Sequence, residues 1–174
     1  MSENNEKTSE DIYLDIDFNE EQSNEELKKC KFVNAEVKSV KIKKDKELNM
    51  SEFYDTKDKL IAQKIIYKKT GHILEINYNS IGGKESVTEY DKNKILVKAT
   101  DYYENGQIKL LTDYGPNGSY KSMMYNADGS RLSFVEKFQD GTAQAIYYDV
   151  DNSGTKVMMK FDENKNVIEK GVIK

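Results

Sequence analysis

Tryptophan is absent from the 174 residues, and cysteine, histidine and proline each occur once. A single cysteine, Cys30, excludes an intrachain disulfide and a zinc cluster of thiolates, and fits a reducing compartment. It sits between Lys29 and Lys31, which favour a thiolate, but no motif gives it a task. The lone histidine, His72, follows Gly71 with no nucleophile tied to it, so it reads as a solvated turn residue rather than a general base. No stretch of about 18 apolar residues exists to span a membrane as a helix. The opening residues, MSENNEKTSED, lack a basic start followed by an apolar run, so no secretory signal is expected. The expected location is cytoplasmic, with export without a classical signal peptide as the alternative.

Catalytic and metal motifs are also missing. There is no phosphate-binding glycine loop, no HExxH helix and no Ser-His-Asp arrangement. Asp149-Val150-Asp151-Asn152-Ser153-Gly154 opens like a calcium loop, but its twelfth position is Lys160, where a bidentate glutamate is required. It also falls in step with the other turns, and reads as one of them. No catalytic residue, no metal site and no cofactor is therefore assigned, and the chain is read as a non-enzyme. Apolar residues make up 37% and charged residues 33%, against about 45–50% and about 25% in ordinary domains. A two-layer core is hard to fill from that composition. The net charge of −4 argues against nucleic acid as a partner.

What is present is strongly zoned. Residues 1–27 hold ten acids against Lys7, net −9, and residues 28–46 hold eight lysines against Glu36 and Asp45, net +6. The acidic zone has the composition of a solvated, flexible tail, assigned to residues 1–30. One island interrupts it: Ile12, Leu14, Ile16 and Phe18 alternate with Tyr13, Asp15 and Asp17 over 12–18, the period-two pattern of a strand. It reads as a docking segment for a sheet edge or as an extra N-terminal strand of the domain.

From residue 31 to 174 the chain repeats. An aromatic closes each apolar run just before a turn: Tyr54, Tyr67, Tyr78, Tyr90, Tyr102, Tyr114, Tyr125, Phe138, Tyr148 and Phe161, at intervals of ten to thirteen residues. Between them come turn sequences ending in Gly71, Gly83, Gly106, Gly118, Gly129, Gly141 and Gly154, several as Asn-Gly or Asp-Gly. Such pairs supply the positive φ of tight hairpin turns. Three junctions, Asp55–Lys59, Lys92–Lys94 and Glu163–Asn166, lack glycine, and there Asn and Asp are expected to take its place. Runs of six to eight residues joined by such short loops must be antiparallel neighbours. The fold expected is all-β: an antiparallel meander of about 11–12 short strands in a long, mostly single-layer twisted sheet, with an open half-barrel as the alternative. The aromatics, one per strand, are expected to stack or stagger across it.

Tyr102-Tyr103-Glu104-Asn105-Gly106-Gln107-Ile108-Lys109 resembles the MORN-like variant repeat, and the 23–24-residue double unit agrees with that family's hairpin period. Tyr125 through Asp149 is similar to the tyrosine-aspartate repeats of large bacterial wall-associated proteins. The resemblance covers residues of about 50–174. It implies a bacterial β-hairpin repeat used for protein or membrane-surface contact, and antitoxin-like relatives imply toxin binding as one form of it. On this reading the chain is a protein-protein interaction or scaffold module with an unknown protein partner or self-association. The contact residues expected are Tyr102, Tyr114, Met123, Tyr125, Phe138, Tyr148, Met159 and Phe161. A small-ligand or carbohydrate-binding sheet is the alternative function.

Overall fold

The computed structural model describes residues 33, 35–150 and 153–173, and residues 12–17 by strand path alone. Phe18, Cys30 and the rest of the acidic tail lie outside the described residues. Thirteen strands follow one another in sequence order across one antiparallel sheet. They are β1 (Ile12–Asp17), β2 (Ser39–Lys44), β3 (Leu48–Tyr54), β4 (Leu60–Tyr67), β5 (Ile73–Tyr78), β6 (Lys84–Tyr90) and β7 (Leu96–Tyr102). Then come β8 (Ile108–Tyr114), β9 (Tyr120–Tyr125), β10 (Arg131–Lys137), β11 (Ala143–Tyr147), β12 (Lys156–Phe161) and β13 (Val167–Ile173). The sheet is open: β1 and β13 are its two ends and do not pair. At normal strand spacing it runs about 58 Å across. The meander and the single layer are as the sequence leads one to expect. The island at 12–17 is the extra N-terminal strand, paired antiparallel to β2 from Ile12↔Lys44 to Asp17↔Ser39.

The turns explain why the chain folds this way. At Asn79–Gly83, Asp91–Ile95, Tyr103–Gln107, Asn126–Ser130, Phe138–Thr142 and Asp162–Asn166, the first residue's N–H donates to the fifth residue's carbonyl. The fourth residue's N–H donates back to the first residue's carbonyl. This is the three-residue hairpin loop in which a type I turn ends on a left-handed residue. Gly82, Gly106, Gly129 and Gly141 fill that place with φ between 82° and 91°. At the glycine-free junctions it is taken by Asp58, Lys94 and Lys165, with φ of 60°, 63° and 68°. Two of the three are therefore lysines, where Asn or Asp was expected. Asp55, Asn79, Asp91 and Asp162 also accept two backbone N–H bonds each through Oδ1, two and four residues on. At Gly71 (φ 72°) a Cβ would also stand 2.9 Å from Lys92 Cβ in the next turn along the same edge, so a side chain there is excluded twice over.

Directly after the turn the register shifts in six hairpins, so that Ile61, Glu85, Val97, Lys109, Leu132 and Ile168 are bulged out of the pairing. In these six hairpins the strand-closing residue lies on one face at one edge and on the other face at the other edge; Tyr67 and Tyr147, whose hairpins carry no such bulge, break the alternation. Tyr54, Tyr78, Tyr102 and Tyr125 close strands at one edge and share one face by register, here the obverse. Tyr90, Tyr114 and Phe161 close strands at the other edge on the reverse. The expected aromatic ladder across the sheet is therefore not formed. Among the described residues the one aromatic ring pair is Tyr114–Tyr120, across β8 and β9, with centroids 6.5 Å apart. Phe138 falls one residue out of step: Lys137 holds the strand-closing position and Phe138 opens the turn.

Burial is thin, as a single layer requires. No large side chain among the described residues is fully buried. The one clustered core lies on the reverse of β2–β4, where Val40, Phe53 and Ala62 meet Val37, with Val33, Ile42 and Ile61 packed against them.

Candidate functional site

Because register partners share a face, the pairings define rows of side chains running across the strands. One obverse row reads Ile76, Val87, Thr100, Leu111, Met123, Phe134, Ile146 and Met158 from β5 to β12. It is an apolar stripe, half-buried or better throughout. Below it runs a charged row: Glu89, Lys98, Asp113, Lys121, Glu136, Gln144, Lys160 and Glu169. Sign alternates at every strand except at neutral Gln144. Glu136 accepts from Gln144 Nε2 at 2.9 Å and lies 3.1 Å from Lys121 Nζ, and Lys160 Nζ lies 2.7 Å from Glu169. The Lys121 hydrogen bond, then that of Gln144, holds the Glu136 carboxyl below the usual glutamate range. The ladder is self-compensating, so it holds strands in register rather than presenting charge to a ligand.

Toward β2 the apolar obverse row continues from Ile76 as Gln63, Glu52 and Lys41. There Gln63 Nε2 and Tyr54 Oη donate to the two oxygens of Glu52 at 2.8 and 2.9 Å, and Tyr78 Oη donates to Gln63 Oε1 at 2.6 Å. Lys41 Nζ sits 5.1 Å from the Tyr54 ring centroid. Burial first, then the Glu52 charge, pushes the Tyr78 phenol above its ordinary value. Every group in this chain of contacts has a partner, so it too reads as structure.

The reverse face differs. Its middle is small and polar: Thr88, Ala99, Thr112 and Ser122 in one row, Asn77, Ser86 and Asp101 in the next. Thr112 and Ser122 hydroxyls lie 2.9 Å apart. Toward β13 both rows become more apolar: one continues as Val135, Ala145 and Met159 before Lys170, the other as Leu110, Met124, Ser133, Tyr147, Val157 and Val172. Of these, Met124, Tyr147 and Val172 are exposed at 37, 40 and 63%, and bulged Leu132 at 39%. A cleft of about 440 Å3 opens among Leu132, Tyr147, Tyr148, Asp149, Val150, Val157, Met159 and Lys170. The patch ends at β13, whose outer edge is unpaired and whose Val167 and Ile168 are 53 and 63% exposed.

Two smaller hollows flank the sheet. One, of about 330 Å3, is lined by Lys64, Ile66, Ile73, Glu75, Tyr90 and Lys94, and at its base Lys64 Nζ bonds buried Glu75 at 2.7 Å. Burial, then the neighbouring Glu75 charge, raises the Tyr90 phenol. The other, of about 300 Å3, lies by Tyr114, Tyr120, Lys121 and Phe138.

The eight contact residues expected from sequence do not form one surface. Tyr102, Met123 and Tyr125 lie on the obverse, Tyr114, Met159 and Phe161 on the reverse, and Phe138 heads a turn. Tyr148 stands just past β11, its N–H donating to Leu132 O at 3.0 Å and its ring 6.0 Å from Lys156 Nζ. Of the eight, Met159 and Tyr148 line the reverse cleft. Met124, Tyr147, Val157 and Val172, which share the reverse face by register, and Leu132, which lines the cleft, were not among the eight. In the doublet Met123-Met124 one member faces each way, whereas Tyr148 lies beyond β11 and lines the same cleft as Tyr147. Of the island, Ile12, Leu14 and Ile16 stand in β1 opposite Lys44, Ile42 and Val40. His72 is exposed in its turn, its carbonyl accepting the Tyr67 N–H. Asp149 accepts the Gly154 N–H at 2.7 Å through Oδ1, as a turn residue does. Among the described residues no group of three or more His, Cys, Asp or Glu is placed to hold a metal, and no helix is long and apolar enough to cross a membrane.

The chain matches no protein-family model and no curated protein.

Proposed function

We propose that this chain is a non-catalytic protein-protein interaction module built from tandem β-hairpin repeats, which receives its partner on the reverse face of β9–β13. The observation that carries the reading is the group of apolar side chains Met124, Leu132, Tyr147, Val157 and Val172 at and around the reverse cleft, behind an obverse face whose polar rows are internally paired. Exposed patches of this kind mark contact sites in soluble proteins. The resemblance to MORN-like repeats supports the same reading, with an antitoxin-like capture of another protein as its most specific form. The cytoplasm is the compartment proposed and nucleic acid is not among the partners proposed, on composition and charge.

A second reading is favoured by the cleft itself. Tyr147 and Lys170 at its wall suit a small ligand or sugar. Partner capture by the full chain, followed by titration of Tyr147→Ser, Met124→Ser and Tyr102→Ser variants, separates the readings. Loss of at least about 30-fold in affinity is expected for Tyr147→Ser, with Tyr102→Ser near wild type. Loss confined to the Tyr102 variant would move the site to the obverse. A saturable change in tyrosine fluorescence with oligosaccharide and no protein present would favour the second reading.

A further inference from the structure

The two ends of the sheet are built differently. Eleven neighbouring strand pairs, β2–β3 through β12–β13, are joined by loops of three to eight residues, whereas β1 and β2 are joined by the twenty-one residues 18–38. Every other strand is held in a hairpin; β1 alone leaves its place without undoing a turn. The β2 edge that β1 covers is lysine-rich: Lys41, Lys43 and Lys44, with Lys38 just before it. Register pairs Asp15 with Lys41, Tyr13 with Lys43, Asp17 with Ser39, Leu14 with Ile42 and Ile16 with Val40. β1 therefore closes the backbone ladder of this edge with a sequence that alternates apolar residues with tyrosine and aspartate.

We propose that the β2 edge is a strand-addition site for an extended segment of a partner protein that alternates apolar and acidic residues, and that β1 is the chain's own occupant of that site, displaced when the partner binds. Strand addition takes affinity from main-chain hydrogen bonds and specificity from alternate side chains. The chemistry selects the occupant: acidic positions meet Lys41 and Lys43, and apolar positions meet Ile42 and Val40. A second copy's β2 would set lysine against lysine, which disfavours pairing of two such edges. The long connection holds β1 near its site at an effective concentration of about millimolar, so an incoming segment must outcompete only that. The site lies at the far end of the sheet from β9–β13, and its test reads a different surface from the one tested above.

The test uses the full chain and a fluorescent peptide of residues 9–19 as the probe. Leu14→Pro removes a ladder donor and strains β1 out of the sheet. Wild type is expected to bind the peptide weakly, and the Leu14→Pro chain at least about tenfold more tightly, with affinity falling as salt rises. A peptide with Asp15 and Asp17 changed to lysine should not bind either chain. Should Leu14→Pro perturb the sheet, seen as lost hydrogen-exchange protection in β5–β8, an Asp15→Lys, Asp17→Lys chain serves instead, and should also gain affinity for the acidic peptide. Equal binding by wild type and the released chains, or none by any of them, would overturn the proposal. Concentration-dependent dimers of wild type by light scattering, dissolved by excess peptide, would give the edge to a second copy's β1 and overturn the assignment to a foreign segment.

Discussion

At Lys94 and Lys165 the backbone sits at φ of 63° and 68°, in the place that Gly106, Gly129 and Gly141 fill elsewhere. A side chain in that left-handed region costs about 1–2 kcal/mol, offset in part because glycine gives the unfolded chain more freedom. Lys94→Gly and Lys165→Gly are each expected to stabilise the protein by about 0.5 kcal/mol, and Gly106→Lys to destabilise it by about 1 kcal/mol, in urea unfolding. The turn aspartates set a pH dependence. The Lys59 and Ile95 backbone N–H groups are the largest cause holding Asp55 and Asp91 below the ordinary aspartate value; at Asp128 and Asp140 it is the Ser130 and Thr142 hydroxyls. A carboxyl depressed in the fold contributes stability above its unfolded value of about 3.9 and loses it as pH falls through the folded value. Asp91→Asn, which copies the neutral Asn79 turn, should therefore lose less stability between about pH 6 and pH 3 than wild type. An equal loss would sever the link. The turns were legible in the sequence because Asn-Gly and Asp-Gly carry their own geometry. The lysines were not, because the strain they accept is imposed by the hairpins on either side.

Strand by strand, the alternation of charge along the lower obverse row is the most regular feature of the sheet. Lys121 stands between Asp113 and Glu136. Lys121→Glu would line up three acids on adjacent strands and is expected to cost about 1 kcal/mol, with much of it recovered near 0.5 M salt. No salt-sensitive loss in thermal unfolding would show the row to be ornamental. The extents of the strands could be read from sequence, since each lies between two turn signals. Which residues share a face could not. Parity is reset at each bulge, and nothing in Glu85, Val97 or Lys109 announces that it will be the bulged residue. That is why Tyr102 and Tyr114, twelve apart, were grouped together and lie on opposite faces.

Taken whole, the protein is a row of neighbours in which each strand touches only the next. Buried residues concentrate in β2–β8, and in β9–β13 only Ala145 falls below 9% exposure. Stability in such arrays is a sum of local contributions. Amides of β11–β13 are expected to exchange through openings about 1–2 kcal/mol cheaper than those of β3–β7. A single opening energy across all strands would mean the sheet unfolds as one body. The single layer was foreseeable from 37% apolar content, because composition alone limits how many faces can be covered.

The alternation of edge and face has a consequence for how such a chain changes length. One strand with its turn takes about twelve residues, and two return the chain to the same edge and the same face after 23–24, as Tyr54, Tyr78, Tyr102 and Tyr125 record. Loss or gain of two strands leaves every later tyrosine where it was. Loss of one turns all of them over, moving each apolar stripe to the opposite face of the sheet. A gene for this protein can therefore lengthen or shorten in whole hairpins and keep its surfaces, and relatives should differ by multiples of about 24 residues and not of 12.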